Sequence, residues 1–151
     1  MRIPVAAAAV LVALLLAAQD SNWFVSIPTL PVPPIPRSDT QRLLDGGTIE
    51  TDGFAQMTFS FGGEFKEAVP ASGRIGAILV PDDPRILQLL EREGQVVFAV
   101  EVTHKVTGGK NPIFVSEQQT HRVAFPRYRV FFYNETSSTA TVSLNVYRSR
   151  C

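Results

Sequence analysis

The sequence contains little of the material from which most catalytic and metal sites are built. Its 151 residues include one cysteine, Cys151, and two histidines. One cysteine cannot form a disulfide within the chain, and zinc sites built on cysteine pairs are excluded. Fourteen basic side chains balance fourteen acidic ones. The chain therefore has no net field to hold a polyanionic backbone, and we expect no nucleic-acid partner.

The first twenty residues differ from the rest. Residues 3–18 carry no charged side chain, and Arg2 precedes them. A positive start followed by an apolar run is typical of a secretory signal, so we expect an exported protein. The Ala/Arg/Val-rich usage suggests a bacterial source, which makes the expected location secreted or the periplasmic side of the inner membrane. Cleavage after Ala17 or Ala18 would place a leucine at the −3 position, which argues against removal of the segment. Sixteen helical residues reach only ~24 Å across a hydrocarbon layer of ~30 Å, which argues against a membrane-spanning anchor. Residues 1–20 are predicted as a signal peptide or an uncleaved hydrophobic membrane-anchor helix.

Residues 21–38 predict a proline-rich extended linker. Five prolines fall within Ser26–Pro36, and such a segment favours polyproline II. It is either a free tether or a strap that lies across a partner. The strap interpretation depends on the apolar residues between the prolines, which need a surface to cover: Ile27, Leu30, Val32 and Ile35.

Residues 39–151 predict an all-β domain. Apolar residues alternate with polar ones, which indicates half-buried strands. The predicted strands are 48–52, 57–61, 74–80, 96–103, 113–116, 119–125, 127–133 and 141–146. Asn134–Thr139 is a polar turn between the last two, which makes them an antiparallel hairpin.

One short helix interrupts these strands. Asp83 suits an N-cap, Pro84 suits the first helical position, and Gly94 suits the end. Ile86, Leu89 and Leu90 are spaced for one apolar face. Together the elements predict an antiparallel two-sheet β-sandwich, of jelly-roll or Ig-like type.

The end of the chain resembles a known pattern. An aromatic strand ending in asparagine, Phe125–Asn134, is followed by the alternating strand Ala140–Tyr147. This hairpin is similar to the last hairpin of GOLD-like sandwiches and of bacterial pre-peptidase-type C-terminal domains, and Gly73–Val80 resembles their earlier core strand. Those domains do not require the helix at 84–93. The resemblance implies a non-catalytic binding or interaction module, and no site residue is carried over.

The residues that could form a catalytic site do not favour an enzyme. No serine lies in a Gly-x-Ser-x-Gly motif, and nothing in the spacing brings His104 and His121 together as metal ligands. We expect no catalytic residue, no metal ion and no cofactor, although four carboxylates leave a weak calcium site open. These are Asp45, Asp52, Asp82 and Asp83.

Charge is divided along the chain. Residues 38–101 hold 5 basic and 11 acidic side chains, and residues 102–151 hold 7 and 2. Either antiparallel strands interleave and neutralise these charges, or the domain is bipolar and docks in one orientation. Arginines that alternate with aromatics on one outward face are typical of interfaces. The predicted partner-binding residues are Trp23, Phe24, Leu30, Val32, Ile35, Arg127, Arg129, Phe131 and Tyr133.

Two functions follow as hypotheses. The first is a non-catalytic extracytoplasmic accessory subunit that docks on a membrane-associated protein complex and stabilises it. Its partners would be other protein subunits, with membrane contact through the N-terminal segment if that segment is uncleaved. The alternative is a secreted ligand-binding module of carbohydrate-binding type, which uses exposed aromatic residues and acidic loops.

Overall fold

The computed structural model describes residues 23–96, 98–110 and 112–150. The predicted signal peptide or anchor, residues 1–20, lies outside the described residues, as does Cys151. Within the described ranges, no helix is long and apolar enough to cross a bilayer. The elements there are β1 (Phe24–Val32), β2 (Leu44–Glu50), β3 (Gln56–Phe65), β4 (Gly73–Pro81), α1 (Pro84–Glu93), β5 (Val100–Val106), β6 (Ile113–Val115), β7 (Gln119–Arg122), β8 (Arg127–Asn134) and β9 (Ala140–Ser149).

The strands form two antiparallel sheets. Sheet A has the order β1-β9-β3-β6, with β7 also pairing with β3, and sheet B has the order β2-β8-β4-β5. Consecutive strands β1 and β2, and likewise β8 and β9, belong to different sheets, which is jelly-roll topology. The predicted all-β, two-sheet sandwich with one short helix is confirmed. Of the two predicted types, the strand order matches the jelly roll, because an Ig-like domain keeps its first hairpin within one sheet.

The helix begins and ends where the sequence predicts. The backbone of Asp83 is extended, and its side chain accepts a hydrogen bond from the Arg85 amide at 2.8 Å. That bond and the arginine side chain hold the pKa of Asp83 below its usual range. Gly94 adopts the left-handed conformation (φ 70°) and donates to the carbonyl of Leu90, so the helix ends there.

The predicted linker is corrected by the structure. Phe24–Val32 is an edge strand of sheet A, paired with β9, so the sandwich begins well before residue 39. Ile27 and Val32 are buried in the main core. Prolines are tolerated here because the outer edge of a sheet needs no donor, and the pairing shifts register between Ile27 and Leu30, where Pro28 lies.

The predicted strand at 96–103 is also corrected. β5 begins only at Val100, because the chain first turns after the helix, with the Ala99 amide donating to the Val96 carbonyl. Val96 packs beside α1 and not in the main core. Phe98 is exposed and contacts Phe125.

Two apolar clusters hold the domain together. The larger fills the space between the sheets and includes stacked Phe61 and Phe132. The smaller lies between the outer face of sheet B and α1, and its buried members are Ile35, Leu43, Ile78, Val80, Leu90 and Tyr133. The outer face of sheet B is therefore covered in part, around Ile78, Val80 and Tyr133, whereas the outer face of sheet A carries no helix in the described part of the chain.

Candidate functional site

The arginines of the predicted interface form ion pairs within sheet B. Arg129 bonds Asp45 at 2.7 Å and Asp82 at 3.1 Å, and these hydrogen bonds raise its pKa. Arg127 pairs with Glu50 at 2.5 Å and lies 3.7 Å from Asp82. Central strand β8 thus places the basic residues of the second half between acidic residues of the first half. On this face the antiparallel strands neutralise the charge division.

The two aromatic residues of that strand are covered. Phe131 is half-buried against the smaller cluster, and Tyr133 is buried in it. The Tyr133 hydroxyl donates to Glu101 at 2.9 Å and lies 2.6 Å from the Thr103 hydroxyl. Burial raises the pKa of Tyr133. The prediction that Tyr133 contacts a partner is corrected, because α1 and the chain before it cover this sheet.

The apolar residues of the predicted strap serve the fold as well. Val32 and Ile35 are buried, and the Ile35 backbone exchanges hydrogen bonds with that of Asn134 at 2.9 Å. Their side chains therefore offer no surface to a partner, which corrects that prediction. Leu30 is half-buried against the main core. The apolar residues between the prolines cover the sandwich itself.

A polar cleft of about 580 Å³ lies beside the end of α1. Arg37 bonds Glu101 at 3.3 Å and the Gly94 carbonyl at 3.0 Å, and Arg74 bonds Glu135 at 2.9 Å. The bond to Glu135 raises the pKa of Arg74. A charged ligand would have to break these ion pairs before it could bind.

The histidines are held by aromatic rings. His104 stacks on Phe114 with ring centres 5.4 Å apart, and His121 stacks on Phe59 at 5.3 Å. Among the residues that the structure describes, no three His, Cys, Asp or Glu side chains are grouped so that they could hold a metal ion.

The outer face of sheet A is lined mainly by small uncharged polar side chains, and Glu64, Arg122 and Tyr147 lie on the same face. We call this surface the sheet A face, and its residues come from four adjacent strands: Ser26, Thr58, Ser60, Gly62, Thr120, Thr141, Ser143 and Asn145. They form rows across the strands, such as Ser26–Asn145–Ser60. The Ser26 hydroxyl donates to the Asn145 side chain at 2.9 Å, and Thr58 and Thr120 are joined at 2.9 Å.

A groove of about 360 Å³ crosses this face. Its floor includes Gly62 and Ser143, which are neighbours in the sheet. A Cβ atom at Gly62 would lie 3.1 Å from the Phe114 carbonyl oxygen, so the glycine leaves backbone of the adjacent strand uncovered. The rim carries two exposed apolar side chains, Ile113 and Val115.

Aromatic side chains gather where β1 begins and β9 ends. We call this region the aromatic end, and its residues are Trp23, Phe24, Phe54, Phe98, Phe125 and Tyr147. The Trp23 ring lies 6.2 Å from Phe54 and 6.3 Å from Tyr147, between centroids. A cleft lined by Phe54 and Phe125 joins this group to Phe98, which is 5.3 Å from Phe125. The sequence predicted Trp23 and Phe24 as contact residues; it missed the others, which come from distant loops and strands.

Comparisons with known proteins identify no family. No protein-family profile and no curated protein matches the sequence. Among solved structures, the chain is similar to the globular domain of zebrafish complement 1qA protein (8% identity, 83% of this chain and 95% of that one, TM-score 0.44). It is also similar to Triatoma virus (12%, 83% and 63%, TM-score 0.46) and to the CBM22-1 and GH10 modules of an endo-1,4-beta-D-xylanase from Clostridium thermocellum (10%, 84% and 26%, TM-score 0.40). TM-scores this low carry no argument about function.

Proposed function

We propose that this chain is a non-catalytic extracytoplasmic binding module, and that its sheet A face binds a neutral polysaccharide. The difference between the two sheets carries the proposal. Part of the outer face of sheet B is covered by α1, and its residues Arg127 and Arg129 are ion-paired. The sheet A face is uncovered and its side chains are small, polar and uncharged, although charged Glu64 and Arg122 border it.

The chemistry of the sheet A face fits sugars. Hydroxyl and amide groups such as those of Ser60, Ser143 and Asn145 both donate and accept hydrogen bonds, as sugar hydroxyls do. The apolar C–H faces of a sugar ring need apolar surface, which Ile113 and Val115 supply at the rim. Gly62 lets a chain approach the sheet backbone closely. The charged side chain among the described residues that line the groove is Glu64, so an anionic ligand would lose its hydration there without gaining a counter-charge.

Blocking the groove tests this proposal. In Ser143→Trp a large side chain stands beside Gly62, and we expect retention of the purified full chain on insoluble neutral polysaccharides to fall at least tenfold. The matched control is Ser137→Trp, in the exposed turn between β8 and β9, which should bind as the unmodified chain does. Equal retention of the two variants, or no retention of the unmodified chain on any neutral polysaccharide, contradicts the proposal.

The accessory-subunit hypothesis is the second candidate. It is favoured by the exposed apolar pair Ile113 and Val115 on short strand β6, which a protein neighbour would bury. Purification of the chain from its native membranes in mild detergent would then yield a stoichiometric partner, and Ser143→Trp would release it. A chain that elutes alone argues against this function.

A further inference from the structure

Three side chains of the aromatic end are exposed, whereas Phe125 packs against the main core. Phe24, Phe98 and Tyr147 are 53%, 55% and 50% exposed, although burying such side chains would stabilise the fold. Trp23 is half-exposed beside them. An apolar patch of this kind on a soluble surface marks a site of contact with a protein or a membrane.

We propose that the aromatic end rests in the headgroup region of a lipid bilayer, so that the sandwich stands on this end beside the membrane. This goes beyond the proposed function, because it concerns a different contact, made at the end of sheet A where Tyr147 pairs with Thr58 and not at the groove around Ser143. The first support is the length of the chain before Trp23. Residues 3–18 are uncharged and apolar, and only residues 19–22 separate them from Trp23. Five residue steps, from Ala18 to Trp23, span at most ~18 Å.

That short connection limits how far the domain can lie from the membrane surface. If residues 3–18 insert in a bilayer, Trp23 lies within that reach of its surface. Trp23 belongs to the aromatic end through its contacts with Phe54 and Tyr147. The end that carries the exposed aromatics is therefore the end that the apolar segment holds against the membrane.

The composition of the aromatic end supplies the second support. Tryptophan and tyrosine are enriched at membrane–water interfaces, where one part of the ring system is apolar and another can bond to headgroups and water. The guanidinium carbon of exposed Arg150 lies 5.9 Å from the Phe54 ring centre, whereas Arg148, 4.7 Å from the same ring, is buried and donates to the Glu50 carbonyl. An exposed arginine beside an aromatic ring suits lipid phosphates, which lie at the depth of these rings.

This orientation leaves the groove on the sheet A face free. The groove at Ser143 lies four residues along β9 from Tyr147, a distance of ~13 Å at the rise of a strand. The strands then run away from the bilayer, and the groove opens sideways into solution. Both surfaces can be occupied at the same time.

Fluorescence at the two ends of the sandwich tests the orientation. Trp23 is the only tryptophan. The full chain, with Cys151→Ser, is reconstituted in vesicles of phosphatidylcholine and phosphatidylglycerol, and an environment-sensitive dye is attached at Phe98→Cys. The matched control carries the dye at Ser137→Cys, at the opposite end. We expect brominated lipids to quench the fluorescence of both Trp23 and the dye at 98. The emission of the dye at 98 should also shift to shorter wavelength when vesicles are present. The dye at 137 should keep the emission wavelength that it has in water without vesicles.

A charge substitution checks that the aromatic end makes the contact. Phe24→Glu should reverse more than half of the wavelength shift of the dye at 98, whereas Ile113→Glu, an exposed apolar position away from this end, should leave the shift unchanged. Circular dichroism verifies that both variants fold. A dye at 98 that behaves like the dye at 137 overturns the proposal even if Trp23 is quenched, because the segment would then insert while the sandwich stands clear. Absence of Trp23 quenching overturns it as well.

Discussion

Asn134 is a single buried residue that ties three segments together. Its side-chain amide donates to the carbonyls of Val32 at 3.0 Å and Ser138 at 2.8 Å, and its carbonyl oxygen accepts from the Thr136 amide and hydroxyl at 3.0 and 2.6 Å. The sequence predicted a turn here from the run of polar residues. It could not predict the bond to Val32, because that residue lies 102 positions earlier and meets the turn only after β1 has joined sheet A.

Replacing the Asn134 side chain should lower the stability of the domain. In Asn134→Ala the Val32 carbonyl and the Thr136 amide lose their bonds to this side chain, whereas the Ser138 carbonyl keeps the Thr136 hydroxyl as a donor. We expect the free energy of unfolding to fall by about 2–4 kcal/mol. The matched control is Asn145→Ala, since Asn145 is half-exposed and makes one side-chain bond, to Ser26. Its loss should cost less than about 1 kcal/mol. Urea unfolding of both variants gives the comparison; equal midpoints would mean that water replaces the partners of Asn134.

At the scale of elements, the ends of α1 could be predicted from the sequence, whereas its position on sheet B could not. Its limits depend on Asp83, Pro84 and Gly94, which act on backbone groups within a few residues, so the local sequence was sufficient. Its position depends on residues far away in the chain, such as Ile35 and Ile78. Because that position was unknown, Phe131 and Tyr133 on β8 were predicted as contact residues when the helix layer covers them.

Two neighbouring leucines of α1 test the covering of sheet B. The sequence predicted both on the apolar face, but Leu90 is 2% exposed whereas Leu89 is 43% exposed. Leu90→Ala should lower the free energy of unfolding by about 3 kcal/mol because it leaves a cavity between the helix and the sheet. Leu89→Ala removes the same atoms from a partly exposed site and should cost no more than about 0.5 kcal/mol. Similar midpoints in urea would show that α1 does not bury its apolar side against sheet B.

At the scale of the whole molecule, closure of the jelly roll depends on its first strand. Alternation in the sequence predicted most strands and the two-sheet sandwich, because period-two burial is local. Strand order is not local, since β1 pairs with β9 across nearly the whole chain. The sequence also could not show that residues 24–32 lie at the edge of a sheet. Their proline content therefore suggested a linker, although an edge strand tolerates prolines that a central strand would reject.

Two truncated chains test whether β1 belongs to the domain. A chain of residues 23–151 keeps every described strand, and we expect it to unfold cooperatively on heating, as a single folded unit. A chain of residues 39–151 loses Ile27, Val32 and Ile35 from the two cores, and it exposes the edge of β9 along the whole length of that pairing. Buried aliphatic side chains contribute about 1.5–3 kcal/mol each, so losing three removes a large part of the 5–15 kcal/mol by which a domain of this size is stable. The shorter chain should therefore show no cooperative transition by circular dichroism, and its open edge should make it aggregate. A cooperative transition at the same temperature in both chains would mean that the sandwich closes without β1 and that the proline-rich segment is a linker after all.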